Sequence, residues 1–358
     1  MSKKDSQEKL RAAPAGQAAR GDPTRALPEQ GGTIEILTAA SLSRPSSTPA
    51  NAKAAFAGDP AYTPADAKSA SAGGPGWLVH GFSTRLGGVS SEYGGQALNL
   101  APTREDTPEN VEENRLLFLR RLLSQQAQPA RKGRRPGSME PQGLWPLVTL
   151  KQIHSAIIHH VERRPEQPRR GDGLITRTPG ILLAVQVADC LPVLLADAEH
   201  GAVGIFHAGW RGTLQRIVEK GVGEMRRRFG SAPERLQAAI GPGIGACCYE
   251  VGEEVEREFE SQFAYARELF TEAFDSRSLE ARYPMLFLNQ RPPGHGDPAV
   301  KPHLDLAKAN LLQLRDAGVP EENVFQLGLC TSCRTDLFFS YRKERVTGRM
   351  LAVVGIRP

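Results

Sequence analysis

The chain has 358 residues, enough for two domains or for one large domain with extensions. Its 45 basic and 40 acidic residues leave a net charge of +5, and much of the excess sits in two Pro-containing stretches, 125–135 and 162–170, where no aromatic residue interleaves with the basic ones. That pattern does not suit a nucleic-acid groove, and no run of 18 apolar residues provides a membrane span, so neither partner is expected.

Residues 1–75 are rich in Ala, Pro, Ser and Gly and carry no periodic apolar pattern, so a disordered tail is expected there. No apolar run follows the basic start, which argues against a secretory leader, and five cysteines in that setting imply reduced thiols and a cytoplasmic protein. From residue 76 the pattern changes. The stretch 77–84 reads as a strand leading into a Gly-rich loop, 85–96, and 108–123 has helical apolar spacing. A Pro/Gly/basic insertion, 124–145, precedes expected strands at 146–153 and 156–161. Three short apolar runs, 181–187, 191–196 and 202–206, read as buried strands, and the gap 197–201 suits a hairpin. A helix is expected over 211–229, a strand over 236–240 and a helix over 249–263. Residues 264–300 look irregular, with a second insertion at 281–300, before a helix over 304–317 and closing strands at 324–329, 337–342 and 349–356. Strands mixed with helices, several without crossover helices between them, indicate one layered α/β (α+β) domain over 76–358 with a largely antiparallel or mixed sheet.

The hairpin carries the chemistry. Cys190 ends the turn Ala188-Asp189-Cys190, and His207 ends the partner strand. His154 follows the strand expected at 146–153. One thiol and two imidazoles suit zinc, and three protein ligands leave the open position typical of catalytic rather than structural sites. The separations, 36 residues from 154 to 190 and 17 from 190 to 207, are not those of compact zinc modules, so core histidines with a buried cysteine stay open as a reading. Cys190 with a histidine could instead form a nucleophile–base pair. Asp189 is placed either to orient a ligand or to cap a strand end. Cys247-Cys248 and the single Cys330-x-x-Cys333 read as buried free thiols. Arg85 beside Gly87-Gly88, Arg211 at a helix start and Arg342 after a strand are candidate anion binders, and Trp210 and Tyr249 could stack on a flat ligand.

The motifs H-G-F-S-T-R-x-G-G, L-N-L, K-Q-I-H, A-D-C-L-P-V-L-L, H-A-G-W-R-G, G-P-x-I-x-x-x-C-Y-E-V and C-T…F-F-S-Y-R…G-R-M occur in order. Together they resemble the laccase-domain purine nucleoside phosphorylase family, formerly called multicopper polyphenol oxidases and in part peptidoglycan editing factors. The resemblance implies a fold shared with the catalytic domain of a bacterial deamidase toxin. It implies zinc, with copper as an alternative, on His154, Cys190 and His207, which would also be the catalytic residues. It implies phosphorolysis of adenosine, inosine and S-methyl-5′-thioadenosine, and deamination of adenosine. Purine nucleosides and phosphate would be the partners, with contacts expected from Arg85, Asn99, Arg211, Tyr249 and Arg342. The alternatives are a cysteine-type amidase acting on peptidoglycan precursors and, third, a copper-dependent polyphenol oxidase. Ser155 and Ala101 stand where the family usually has Gly. The sequence sets no oligomeric state.

Overall fold

The central apolar runs become strands whose two faces are both buried, so consecutive residues serve different cores. The structure is a computed structural model that describes residues 33–39, 42, 76–126, 144–273 and 301–358. The two expected insertions, 124–145 and 281–300, fall largely outside these residues. The strands are β1 (Ile36–Leu37), β2 (Leu78–Ser83), β3 (Leu86–Ser90), β4 (Leu147–Val148), β5 (Ile158–His160), β6 (Gly173–Thr176) and β7 (Leu182–Val187). They continue with β8 (Leu191–Asp197), β9 (Ala202–Ala208), β10 (Gln237–Ile240), β11 (Phe270–Ala273), β12 (Lys301–Leu304), β13 (Val324–Gln326) and β14 (Met350–Ile356).

Two mixed sheets dominate. One has the order β1-β2-β14-β7-β4 and the other β13-β10-β8-β9-β6-β5, while β11 and β12 form a small separate ladder. Leu183, Val185, Val187, Ala352 and Val354 of the first sheet share a core with Leu194, Ala196, Val203 and Ile205 of the second. The alternate residues point the other way. Leu182, Ala184, Leu351 and Val353 pack with Phe118, Leu119 and Leu122 of the helix Pro108–Gln125. Val193, Leu195 and Phe206 pack with residues of the helices Ile217–Phe229, Glu253–Gln262 and Leu306–Asp316. The result is four layers, helix–sheet–sheet–helix. The strand period of two divides each run between the sheet–sheet interior and a helical cover.

Several expectations need correction. Residues 33–39 and 42, assigned to the tail, belong to the domain: β1 pairs antiparallel with β2, Ala39 and Leu42 are fully buried, and the Ala39 amide bonds the His80 ring. The rest of 1–75 lies outside the described residues. The Gly-rich loop after β2 contains β3, because Gly88 lets Ala97 and Asn114 approach closer than any Cβ allows. The helix expected over 211–229 is two, Trp210–Leu214 and Ile217–Phe229, broken at Arg216 with φ 61°. The strand expected over 337–342 does not form. Phe338 and Phe339 are buried in irregular backbone, and the short helix Tyr341–Glu344 follows. Apolar content there signals burial without strand pairing.

Candidate functional site

The chain passes from the first sheet to the second through Ala188-Asp189-Cys190, between β7 and β8. The β8–β9 hairpin then fixes a register in which Pro192 faces His207 and Leu191 faces Ala208. Cys190 and His207 are therefore brought to one edge by backbone pairing alone. His154 arrives differently. The strand expected to carry it is only Leu147–Val148, and His154 sits on a loop at φ 57°.

That loop is held by Asp172, which is fully buried in the turn before β6. Its carboxylate accepts from the backbone N–H groups of Ile153, His154 and Ser155 and from the Ser155 hydroxyl, at 2.7–3.3 Å. It also accepts from His207 Nδ1 at 2.9 Å, and its carbonyl accepts the His207 N–H. With Nδ1 engaged, Nε2 is the nitrogen His207 offers to the cleft, the arrangement by which a carboxylate fixes a metal-binding imidazole. None of the motifs includes Asp172, which lies in the turn Gly171-Asp172-Gly173. Its available signal was an acid between glycines beside a strand that pairs with the His207 strand.

The ligand atoms of His154, Cys190 and His207 lie within 4.8 Å of one another. The rings of His154 and His207 meet edge-on with centroids 5.0 Å apart. Gly209 is required at this spot, since a Cβ there would stand 2.8 Å from Cys190 Sγ and 3.3 Å from the His154 ring. One soft donor and two imidazoles of this convergence fit a single transition-metal ion. Electrostatics agree. Burial pushes the Cys190 thiol up, but His207 and His154 outweigh it and bring it down to about 6. Burial pushes His207 down, but Cys190 and Asp172 outweigh it and raise it to about 9. Asp172, despite burial, is held at about 2 by His207 and Ser155. Without metal the pair is thiolate and imidazolium.

These groups form one wall of a cleft of about 760 Å³, a volume usual for a small-molecule site. Trp210, Ile244, Tyr249 and Tyr341 give it flat and apolar surface, and Lys151, Arg342, Arg345 and Arg349 give it positive charge. The acid that lines it, Asp189, is committed: its carboxylate accepts from the Thr331 hydroxyl at 2.7 Å and the Arg342 N–H at 2.6 Å. Asp189 thus ties the cationic wall to the Cys190 turn, with its own backbone at φ 88°. Arg342 also donates to the Glu250 carbonyl and lies over the Tyr249 ring.

The substrate and phosphate contacts expected from the resemblance divide. Arg342 and Tyr249 line the cleft. Arg85 does not: it pairs with Glu344 at 2.7 Å, donates to the carbonyls of Thr335 and Tyr93, and stacks on Phe339. Asn99 is fully buried, donating to Asp106 and accepting from the Arg349 N–H. Arg211 is exposed over Trp210 and outside the cleft lining. Arg345, Arg349 and Lys151 line the cleft instead; Lys151 and Arg349 fall inside the motifs K-Q-I-H and G-R-M, while Arg345 lies outside every motif. Among the described residues, no helix is long and apolar enough to cross a membrane.

Known proteins share this framework. The family model described as multi-copper polyphenol oxidoreductase laccase matches residues 79–133 and 138–357. A protein of Deinococcus radiodurans named purine nucleoside phosphorylase is 36% identical over 286 residues, covering 78% of this chain and 89% of its own. A protein from an unknown prokaryotic organism, named adenosine deaminase RL5, is 35% identical over 206 residues, 55% of this chain and 70% of its own. The crystal structure of Bacillus licheniformis hypothetical protein YfiH superposes with a TM-score of 0.62 at 29% identity, covering 78% of this chain and 93% of that one. By its ordered motifs, its fold and these matches, the chain belongs to the multi-copper polyphenol oxidoreductase laccase family, that of the laccase-domain purine nucleoside phosphorylases.

Proposed function

We propose that the chain is a zinc-dependent purine nucleoside enzyme. It cleaves adenosine, inosine and S-methyl-5′-thioadenosine with phosphate, giving the base and the sugar 1-phosphate, and it deaminates adenosine to inosine. The observation that carries the reading is the juxtaposition of the His154, Cys190 and His207 donors with a cationic, aromatic-lined cleft. The names of the relatives supply the substrate class. Zinc held by those three residues supplies Lewis acidity on that wall. Asp172 keeps the His207 proton on Nδ1. Trp210 and Tyr249 offer faces for the purine, and Lys151, Arg342, Arg345 and Arg349 offer charge to the phosphate. Phosphate attack at C1′ breaks the bond to the base nitrogen, and the departing base takes up a proton. Burial pushes the Tyr249 phenol up, so it remains a protonated donor on the cleft at neutral pH.

A second reading rests on the same atoms. Without metal, the Cys190 thiolate, the His207 imidazolium and Asp172 would serve as nucleophile, proton donor and orienting carboxylate, as a cysteine hydrolase requires. Copper-dependent oxidation ranks third, since the chain has no H-x-H pair for a multicopper centre. The test is to incubate the protein with adenosine, with and without phosphate, and to resolve adenine, hypoxanthine and inosine. Adenine that forms only with phosphate, and inosine in both, is the expected result. No turnover of any nucleoside sinks the reading. Activity on an amide substrate that survives chelation and is abolished by iodoacetamide selects the second.

A further inference from the structure

The chain has five cysteines, and Cys190 accounts for one. The other four converge. The Sγ atoms of Cys247, Cys248, Cys330 and Cys333 all lie within 4.8 Å of one another, although 82 residues separate Cys248 from Cys330. Cys333 Sγ is 3.5 Å from Cys247 Sγ and 3.4 Å from Cys248 Sγ. A disulfide needs about 2.0 Å. Four sulfurs around one zinc, each about 2.3 Å from it, stand about 3.8 Å apart. The observed separations are close to the second figure and far from the first.

The scaffold holds the thiols in place before any ion arrives. Gly243 bridges Cys330 in parallel β fashion, with the Gly243 N–H on the Leu329 carbonyl and the Thr331 N–H on the Gly243 carbonyl. The Gly245 N–H donates to Cys330 Sγ at 3.2 Å, as backbone amides do around metal thiolates. A Cβ on Gly245 would stand 3.3 Å from Cys247 Sγ, so the glycine opens room for the cluster. The turn that spaces Cys330 and Cys333 is closed by the Arg334 N–H on the Cys330 carbonyl.

We propose that these four cysteines bind a second, structural zinc ion as a tetrathiolate site. Four protein ligands leave no open position, which distinguishes it from the His154, Cys190 and His207 centre. Its position gives it a task. Cys248 directly precedes Tyr249, while Cys330 directly precedes Thr331, whose hydroxyl bonds Asp189. The ion would clamp together two loops that bear on the cleft from different parts of the chain. The inference uses only thiol geometry and does not depend on the nucleoside reading.

The experiment is a metal count on the full chain, purified without chelator, for the wild type, C190A, C333S and the double variant. We expect two zinc ions per wild-type chain, one in each single variant and none in the double. Cobalt-loaded C190A has no thiolate at the first centre, so it should show the sulfur-to-cobalt charge-transfer and ligand-field bands of a tetrahedral tetrathiolate. A metal-free C190A with four titratable thiols, or with a mass lower by the hydrogens of two disulfides, overturns the proposal. If C333S fails to fold, the C190A count and its cobalt spectrum decide alone.

Discussion

Two buried carboxylates hold the two walls of the cleft, and they do it differently. Asp172 gathers five donors from one short loop and one histidine, and so fixes the wall that carries His154, Cys190 and His207. Asp189 takes two donors, Thr331 and the Arg342 N–H, from segments more than a hundred residues away, and so fixes the cationic wall. The first wall is built from hairpin register and local loop closure. The second depends on long-range docking of segments that have little regular structure. The proposed metal centre needs closely placed donors, and local closure of this kind suits it. A phosphate site tolerates looser placement, because Coulomb attraction falls off slowly with distance.

The largest expected effect comes from breaking the first wall. In D172N an amide N–H₂ group replaces one carboxylate oxygen and faces donors where an acceptor stood. Loss of an outer contact of this kind typically costs 10–100-fold in metal affinity. A competition titration with a chromophoric chelator should show that loss for D172N, with circular dichroism unchanged. Wild-type affinity in D172N would remove Asp172 from the account of the centre.

Proton competition sharpens the same comparison. In the metal-free protein Cys190 titrates at about 6 and His207 at about 9. Between those values a metal ion displaces the His207 proton, so affinity should rise about tenfold per pH unit. Below the lower value the Cys190 proton must leave as well, and the slope becomes at least about a hundredfold per unit. Above the upper value these two groups no longer contribute. In D172N the upper break should move down, because His207 loses the carboxylate that raises it. An affinity independent of pH from 6 to 9 would contradict the thiolate–imidazolium pair.

The cationic wall is probed by two arginines, one expected from the sequence and one not. Arg345 lines the cleft, and Arg85 is spent on Glu344, backbone carbonyls and the Phe339 face. R345A should raise the KM for phosphate by about three- to tenfold, the effect of one exposed charge-assisted contact, and leave the melting temperature alone. R85A should do the reverse. Losing charge-assisted hydrogen bonds worth about 1.5–3 kcal/mol lowers Tm by several degrees while phosphate KM stays fixed. Phosphate kinetics beside thermal melts separate the two, and a raised phosphate KM in R85A would return it to the site.

What could be read in advance follows the same division. Cys190 and His207 were legible because a five-residue gap between apolar runs forces a hairpin, and the hairpin fixes register. His154 was legible as a companion of that pair but not as a loop residue, since its support is a carboxylate 18 residues on. The Cys247, Cys248, Cys330 and Cys333 cluster reads as two unrelated pairs until the Gly243–Cys330 bridge joins them. Leu337–Arg342 has strand composition, yet Phe338 and Phe339 find burial without pairing. Glycines mislead in the same way: Gly87-Gly88 resembles an anion loop and instead admits Asn114 and Ala97. Local pattern reports which residues are buried and in what period. It does not report which distant loop completes a site.

The smallest expected effect tests how redundant the first wall is. Ser155 stands where the family usually has Gly, and here its hydroxyl donates to Asp172 at 2.7 Å and accepts from the Ile157 N–H at 3.2 Å. S155G removes both contacts but keeps the backbone N–H that also reaches Asp172 at 2.7 Å. The carboxylate would still have four donors. A hydrogen bond to a charged group is worth about 1.5–3 kcal/mol when nothing replaces it. With four donors remaining, most of that loss falls on the stability of the loop and little on the position of His154 and His207. S155G should therefore lower Tm by a few degrees and change metal affinity by less than about threefold. The check is the same chelator competition used for D172N, run beside a thermal melt. If S155G loses metal as severely as D172N, the hydroxyl is the contact that sets Asp172, and the family's usual glycine must be compensated elsewhere in the loop.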